Sequence, residues 1–225
     1  MSISVSTILL KFFRRAGRFV LYRLLNPFPQ VQWAVGAGYR KVASFFPASV
    51  RHHFAGVLDR ESHYLEFISH TRIDTPQKEA LRQLTYSWKV YPKISIIMPV
   101  YNVDPVWLGA AVESVKGQIY ENWELCIVDD ASSRPETTAY LSSLNHPKIK
   151  LRCLDQNKGI AGASDAALNM VTGEYVGLLD HDDELRCNAL FEVAKAIQTH
   201  DPDMIYSDED KISPLGIRRF PFFKP

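Results

Sequence analysis

The chain has 225 residues, which is enough for one large domain or for a domain with an appendage. Hydrophobic residues make up 46% of it and charged residues 23%, and this composition excludes a disordered, collagenous or low-complexity chain. The net charge of +1 conceals an asymmetry, because residues 1–92 carry 13 Lys and Arg against 5 Asp and Glu, whereas residues 93–225 carry 13 against 20. We therefore expect two regions with different partners: a basic, helical region over 1–92 and a second domain over 93–225.

Residues 6–25 predict an amphipathic helix that ends before Pro27. Four of its apolar residues can share one face, with arginines beside it: Leu9, Phe13, Val20 and Leu24. Because the charges interrupt the apolar run, the segment predicts neither a secretory signal nor a membrane-spanning helix. Basic and aromatic residues suit an anionic membrane surface, so we expect peripheral membrane contact here, with packing on the same chain or on a protein partner as the alternative. No nucleic-acid recognition motif follows, and we expect no nucleic-acid partner.

The chain contains three widely spaced cysteines and no CxxC pair: Cys126, Cys153 and Cys187. This pattern argues against a disulfide scaffold and against a structural zinc site, and it favours a reducing compartment. The predicted location is therefore cytoplasmic, with attachment to the inner face of the cell membrane through residues 6–25.

From residue 93 onward, apolar runs of strand length alternate with segments of helical period. The predicted strands cover residues 94–98, 124–128, 149–153, 175–179 and 204–206. The predicted helices cover residues 105–118, 136–144, 160–171 and 185–200. An earlier helix is predicted to begin at Thr75, with the threonine as its cap and Pro76 in its first turn. The alternation predicts an α/β fold, in which helices flank a mainly parallel sheet and ligands bind beyond the carboxyl ends of the strands.

Three of the predicted strands end in polar residues, at 99–102, 129–132 and 180–184. The last of these segments has four carboxylates within five residues, directly after an apolar strand. Such carboxylates raise one another's pKa unless a cation lies among them, and oxygen ligands suit Mg²⁺ or Mn²⁺. Asp180 and Asp182 are two residues apart, so both would face one side of an extended segment. Asp183 and Glu184 are instead expected to cap a helix that begins at Leu185, and His181 is expected to be a bystander.

Four sequence blocks occur in a fixed order along the second region: KISIIMPVYN, ELCIVDDAS, NKGIAGASDAALNMVTGEYVGLLDHDDEL and IYSDEDK. Together they resemble the family 2 nucleotide-sugar glycosyltransferases, and the resemblance covers residues 93–225. An isolated Asp-x-Asp would be weak support, so the order of the four separated blocks carries the resemblance. It implies a Rossmann-like nucleotide-binding sheet of the type called GT-A.

The resemblance also implies a nucleotide-sugar site and a divalent metal, manganese or magnesium. Pro99 and Tyr101 match the loop that packs around the nucleobase, where an aromatic face can stack. Asp130 matches the carboxylate that receives hydrogen bonds from the base or the ribose, and Asp129 is its neighbour in that site. Asp180 and Asp182 match the Asp-x-Asp (DXD) motif, in which Asp180 also belongs to the nucleotide-sugar site and Asp182 is the direct metal ligand.

Some of these residues have structural alternatives. Tyr101 could be a packed aromatic at the end of a strand, and Asp130 could cap the turn that follows it. Gly159, Gly162 and Ala163 mark either a close approach of the backbone to a sugar or phosphate or tight helix packing.

We therefore expect an inverting, metal-assisted glycosyltransferase of cell-envelope polysaccharide biosynthesis. Its donor would be a nucleotide sugar, a UDP-sugar by the family's commonest choice, and its acceptor a polysaccharide or a lipid-linked glycan. No residue of the chain matches the family's catalytic base, which lies downstream of the IYSDED block, so the catalytic residue is unassigned and the chain corresponds to a donor-binding half. The alternative is a catalytically incomplete module that binds a nucleotide sugar or a partner protein.

Overall fold

The computed structural model describes residues 63–213 and 216–224, and the predicted helix over 6–25 lies outside these ranges. The chain divides into two compact units, one containing the described residues 74–205 and the other containing the described parts of 5–73 and 206–225. The predicted boundary between residues 92 and 93 stays a prediction. None of the helices among the described residues is long and apolar enough to span a bilayer.

The first unit is built on a sheet of four parallel strands in the order β3-β2-β1-β4. The strands are β1 (Ile94–Val100), β2 (Trp123–Asp129), β3 (Ile149–Cys153) and β4 (Tyr175–Leu178). The helices of this unit are α1 (Thr75–Thr85), α2 (Pro105–Lys116), α3 (Pro135–Ser143), α4 (Gly159–Leu168) and α5 (Ala189–His200). The predicted α/β fold with a mainly parallel sheet flanked by helices is confirmed.

The core of this unit lies around the two central strands. Strand β2 is buried along its whole length, and β1 is buried except at Pro99. Helix α2 buries one face, on which apolar residues recur with helical period: Leu108, Ala111, Val112 and Val115. Helix α4 packs Ala163 and Ala167 in a buried cluster with Ile97, Cys126 and Val128, because small side chains let its backbone come close to the strands. The central strands are thereby fixed, and their carboxyl ends are held in place.

The predicted cap of α1 and the predicted start of α5 are wrong, and hydrogen bonds explain both. The cap of α1 is Asp74, not Thr75: its carboxylate accepts the Gln77 N–H at 2.8 Å, and the Gln77 side chain accepts the Asp74 N–H at 2.9 Å. Helix α5 begins at Ala189, four residues after the predicted Leu185. Its first turn is capped by a distant side chain, since Gln118 Oε1 accepts the Leu190 N–H at 2.9 Å.

The acidic pair Asp183 and Glu184 therefore does not cap α5, because both residues precede the non-helical segment that leads into it. That segment is fixed from outside: Gln118 Nε2 donates to the Arg186 carbonyl at 2.8 Å, and Ser114 Oγ accepts the Leu185 N–H at 3.1 Å. The expectation of a solvated acidic cap at residues 183–184 is corrected accordingly.

The predicted fifth strand over 204–206 does not form, since these residues have no strand pairing. The second unit instead contains an antiparallel pair, β5 (Glu209–Ile212) and β6 (Arg218–Phe222). Asp210 accepts two hydrogen bonds from the Arg218 guanidinium, at 2.6 and 2.9 Å, and a third from the Tyr64 hydroxyl. An ion pair between strands favours the local antiparallel hairpin over addition to the parallel sheet.

Candidate functional site

The carboxyl ends of β1, β2 and β4 lie at one edge of the sheet. Val100 pairs with Asp129 in the register of β1 and β2, and the Asp130 N–H donates to the Val100 carbonyl at 2.8 Å. On the other side of β1, the Leu179 N–H donates to the Ile97 carbonyl at 3.2 Å. The three polar segments that follow these strands are therefore brought together, as expected for parallel strands.

The segment after β1 presents its aromatic residue to solvent. Tyr101 is 47% exposed, whereas Pro99, two residues earlier, is half-buried within β1. The alternative of a packed aromatic at the end of the strand does not fit this exposure. The ring is available to a ligand at the edge where the strands end.

The two aspartates after β2 are buried, and each uses one carboxylate oxygen within the protein. Asp129 is 4% exposed and its Oδ1 accepts the Ser132 N–H at 3.2 Å, while Asp130 is 3% exposed and its Oδ1 accepts the Lys158 N–H at 2.7 Å. The cap of the following turn is thus Asp129, and the alternative that gave this role to Asp130 is wrong. Within the part of the chain that the structure describes, no hydrogen bond reaches Oδ2 of either residue, so each keeps an acceptor for a ligand.

The contact between Asp130 and Lys158 is one that the sequence pattern did not predict. The two residues are 28 positions apart, and the interaction involves only the main chain of Lys158. It ties the end of β2 to the residue that immediately precedes α4. The nearest signal in the sequence is Gly159, whose φ of +72° produces a turn that a side chain would strain.

The glycine-rich start of α4 is explained by packing. A Cβ on Gly162 would lie 2.6 Å from the Lys158 Cβ, which is closer than side chains approach one another. Ala163 is buried against the sheet. The sequence left open a close approach to a ligand or tight packing, and tight packing explains Gly162 and Ala163. It does not explain Gly159, because a Cβ there would meet nothing within 4 Å.

The acidic segment after β4 forms a turn, not the extended strand that the spacing of Asp180 and Asp182 predicted. The Asp183 N–H donates to the Asp180 carbonyl at 3.1 Å, because β4 ends at Leu178 and the chain reverses there. Asp182 is 15% exposed, and its Oδ1 lies 3.4 Å from Nδ1 of His181. Asp180 is also only partly exposed, so both carboxylates are partly withdrawn from water.

The electrostatics of this turn suit a cation. Burial raises the pKa of the Asp180 carboxyl, the negative charge of Asp182 raises it further, and His181 opposes the shift. A hard divalent ion would relieve both the desolvation and the repulsion. Among the described residues no group of three or more His, Cys, Asp or Glu side chains has the arrangement of a complete metal site. The pair would supply carboxylate ligands of the kind that Mg²⁺ uses together with water and substrate phosphates.

Comparison with known proteins gives a consistent family. Residues 95–215 match the model of the family described as glycosyl transferase family 2. The O-antigen biosynthesis protein RfbC of Myxococcus xanthus is 33% identical over 155 residues, which is 67% of this chain and 12% of that protein. The uncharacterized protein y4gI of Sinorhizobium fredii is 42% identical over 137 residues, or 60% of this chain and 15% of that protein.

A third relative has a more specific name. The UDP-Glc:alpha-D-GlcNAc-diphosphoundecaprenol beta-1,3-glucosyltransferase WfgD of Escherichia coli is 39% identical over 97 residues, or 43% of this chain and 38% of that protein. Among solved structures, S. aureus TarS in complex with UDP-GlcNAc is 27% identical, with a TM-score of 0.46, over 49% of this chain and 32% of that chain. The chain thus matches well under half the length of each of these proteins.

Proposed function

The chain belongs to glycosyl transferase family 2, and from that premise we propose that it binds the nucleotide-sugar donor of an inverting glycosyltransferase. One observation carries the proposal: three groups lie at one edge of the sheet, where three neighbouring strands end. They are the exposed aromatic Tyr101 after β1, the two buried aspartates at the end of β2, each with a remaining acceptor oxygen, and the acidic turn after β4. A nucleoside diphosphate has a base, a ribose and a charged diphosphate, and these three polar segments offer chemistry for each.

The base and the ribose are assigned to the segments after β1 and β2. Tyr101 stacks on the nucleobase beside Pro99, since every base presents a π-face to an aromatic ring. Asp130 Oδ2 accepts a hydrogen bond from the base or a ribose hydroxyl, and Asp129 Oδ2 does so next to it. Such bonds to a charged acceptor are strong, because the carboxylates are buried and already oriented by the main chain.

The diphosphate is assigned to the acidic turn. Asp180 and Asp182 hold a manganese or magnesium ion, with Asp182 as the direct ligand and Asp180 also contacting the donor. When bound, this ion neutralises the charge that develops on the departing nucleoside diphosphate. Inversion requires one displacement by an acceptor hydroxyl with a carboxylate base, and we assign that base to no residue of this chain.

The names of two relatives support the proposed donor and acceptor. WfgD is named for transfer from UDP-Glc to a diphosphoundecaprenol-linked sugar, and RfbC for O-antigen biosynthesis. These names support a UDP-sugar donor and a polysaccharide or lipid-linked glycan acceptor of the cell envelope. A lipid-linked acceptor lies at the membrane, where the basic helix predicted over 6–25 would hold the enzyme on the cytoplasmic surface.

Calorimetric titration of UDP into the full chain, with and without Mn²⁺, tests the donor site. We expect saturable binding that requires Mn²⁺ and weakens at least about tenfold in Asp182→Asn, because a ligand of the ion is lost. Asp203→Asn is the matched control, since it makes the same chemical change at an exposed position in the same unit. If folded wild type does not bind UDP, the assignment of the donor site is refuted. If Asp182→Asn binds UDP as tightly as wild type, the assignment of the metal ligand is refuted.

Turnover distinguishes the enzyme from the alternative, a module that binds nucleotide sugar without transferring it. Transfer of sugar from a UDP-sugar to a diphosphoundecaprenol-linked acceptor by the full chain would exclude the alternative. Binding of UDP with no transfer in that assay would favour the module.

A further inference from the structure

The side chain and main chain of Asn102 make several of the hydrogen bonds that join the segments after β1 and β2. We infer that Asn102 is a positioning residue that sets the spacing of two loops: the β1 loop (residues 101–104) and the β2 loop (residues 130–134). The inference rests on the proposed function, because these loops carry the aromatic ring and the aspartate assigned to the nucleotide.

Asn102 makes five hydrogen bonds to the β2 loop, the longest of which its Oδ1 accepts from Ser133 Oγ at 3.5 Å. Its main-chain N–H donates to Ser132 Oγ at 2.9 Å, and its Nδ2 donates to Ser133 Oγ at 3.2 Å. Its Oδ1 accepts the main-chain N–H groups of both Ser133 and Arg134, each at 2.8 Å. Two donors on one side-chain oxygen fix both its distance and its direction relative to the β2 loop.

The β2 loop has no acceptor of its own for these N–H groups. Helix α3 begins at Pro135, and the residue at its cap position is Arg134, whose side chain makes no capping hydrogen bond. The first turn of a helix leaves main-chain donors without partners inside the helix. Asn102 supplies an acceptor from the neighbouring loop, and it thereby fixes the main chain of the two residues that immediately precede α3.

Both loops adopt a backbone conformation that is unfavourable for residues with a side chain. Asn102 has a φ of +48° and Ala131 a φ of +59°. Asparagine tolerates this left-handed region, whereas alanine is strained there and persists only where its surroundings hold it. Two further contacts tie the loops together: Thr137 Oγ1 donates to the Val103 carbonyl at 2.6 Å, and Arg134 pairs with Asp104 at 3.2 Å.

The consequence concerns the cost of binding. Tyr101 directly precedes Asn102, and Asp130 directly precedes the strained Ala131. If the loops were free, a nucleotide would have to order both before it could stack on one and bond to the other, and this ordering weakens binding. The bonds of Asn102 order them in advance.

Two substitutions at this position separate the hydrogen bonds from the backbone conformation. Asn102→Gly keeps the left-handed backbone, which glycine adopts without strain, and removes the side-chain bonds. Asn102→Asp keeps an oxygen that accepts the N–H groups of Ser133 and Arg134. Ser95→Ala, near the opposite end of β1, removes a buried hydrogen bond and is the control for a general loss of stability.

UDP is titrated into each full-length variant in the presence of Mn²⁺. We expect Asn102→Gly to raise the dissociation constant roughly tenfold, Asn102→Asp to restore it to within about threefold of wild type, and Ser95→Ala to leave it unchanged. If Asn102→Gly does not fold, Ser132→Ala removes the acceptor of the Asn102 N–H, and a rise of roughly threefold is expected.

The outcomes separate the two proposals. Failure of wild type to bind UDP overturns the proposed function itself. Binding by wild type with an unchanged constant in Asn102→Gly, or an equal loss in Asn102→Gly and Ser95→Ala, overturns the role of Asn102 and leaves the donor site standing. Loss in Asn102→Gly with recovery in Asn102→Asp supports it.

Discussion

Buried carboxylates lie near both ends of strand β2, one at the amino end and two at the carboxyl end, and the protein satisfies them in different ways. Near the amino end, Glu124 is 3% exposed and accepts hydrogen bonds from Ser95 Oγ at 2.7 Å and from the Thr172 N–H at 2.7 Å. It also pairs with the ammonium groups of Lys93 at 2.7 Å and Lys150 at 3.0 Å. At the carboxyl end, the carboxylates of Asp129 and Asp130 accept only main-chain N–H groups among the described residues.

The difference distinguishes a structural carboxylate from one available to a ligand. Glu124 joins β1, β2, β3 and the segment before β4 through partners that the chain itself supplies, so nothing is left to bind. The aspartates are held in place by one oxygen each, and the other oxygen has no cation or donor from the described chain. Burial alone therefore does not show whether a carboxylate is available to a ligand. What matters is whether both of its oxygens already have hydrogen-bond or ion-pair partners within the protein.

Removal of Glu124 gives the largest expected effect. Glu124→Ala leaves the buried Ser95 hydroxyl and the Thr172 N–H without their acceptor and two lysines without their counter-charge, and we expect a loss of about 3 kcal/mol in the free energy of unfolding. Urea denaturation measures this loss. The affinity of the folded variant for UDP should not change, and a large change in affinity would mean that the two ends of β2 are not independent.

Asp130→Asn tests the other end of the strand. The amide oxygen still accepts the Lys158 N–H, so stability should change by less than about 1 kcal/mol, while the acceptor proposed for the nucleotide becomes a donor. The affinity for UDP should fall by about 2 kcal/mol, or about thirtyfold, in calorimetry. A variant that loses stability but keeps its affinity would place Asp130 in the same structural class as Glu124.

Tyr101→Ala should weaken UDP binding by about 1.5 kcal/mol, because stacking of a base on an aromatic ring contributes on that order. Tyr101→Phe keeps the ring and is the matched control, with an affinity close to that of wild type. Since the side chain is half exposed, the melting temperature of both variants should remain near that of wild type. Equal losses in the two variants would show that the hydroxyl, not the ring, makes the contact.

The pH dependence of stability tests the role of Glu124 at the amino end of β2. Burial raises the pKa of the Glu124 carboxyl, but its bonds from Lys93, Ser95, Thr172 and Lys150 outweigh this and hold the pKa well below its usual value of 4.5. The stabilisation is therefore present above pH 4.5 and is lost as the pH falls toward the lower pKa of the folded state. Between pH 5 and pH 3.5, wild type should lose about 1 kcal/mol more than Glu124→Gln in urea denaturation. Parallel losses in the two proteins would contradict this.

The sequence predicted the parts of the fold that local pattern determines. The four parallel strands and the buried face of α2 follow from apolar periodicity, and the polar ends of the strands follow from their position after those runs. Where the structure differs, the deciding partner is distant in the chain. Gln118 caps the first turn of α5 from 72 residues away, and Lys158, 28 residues along the chain, takes the Asp130 oxygen that one alternative gave to a local turn.

The close contact at Gly162 has a consequence for how this sequence can evolve. A side chain at that position would push against the Lys158 Cβ and displace the very N–H that orients Asp130. Mutation there would thus act on the proposed nucleotide site without touching a ligand. Descendants of this gene should keep glycine at residue 162, or change it only together with the loop that contains residue 158, and deep mutational scanning under selection for donor binding would reveal that linkage.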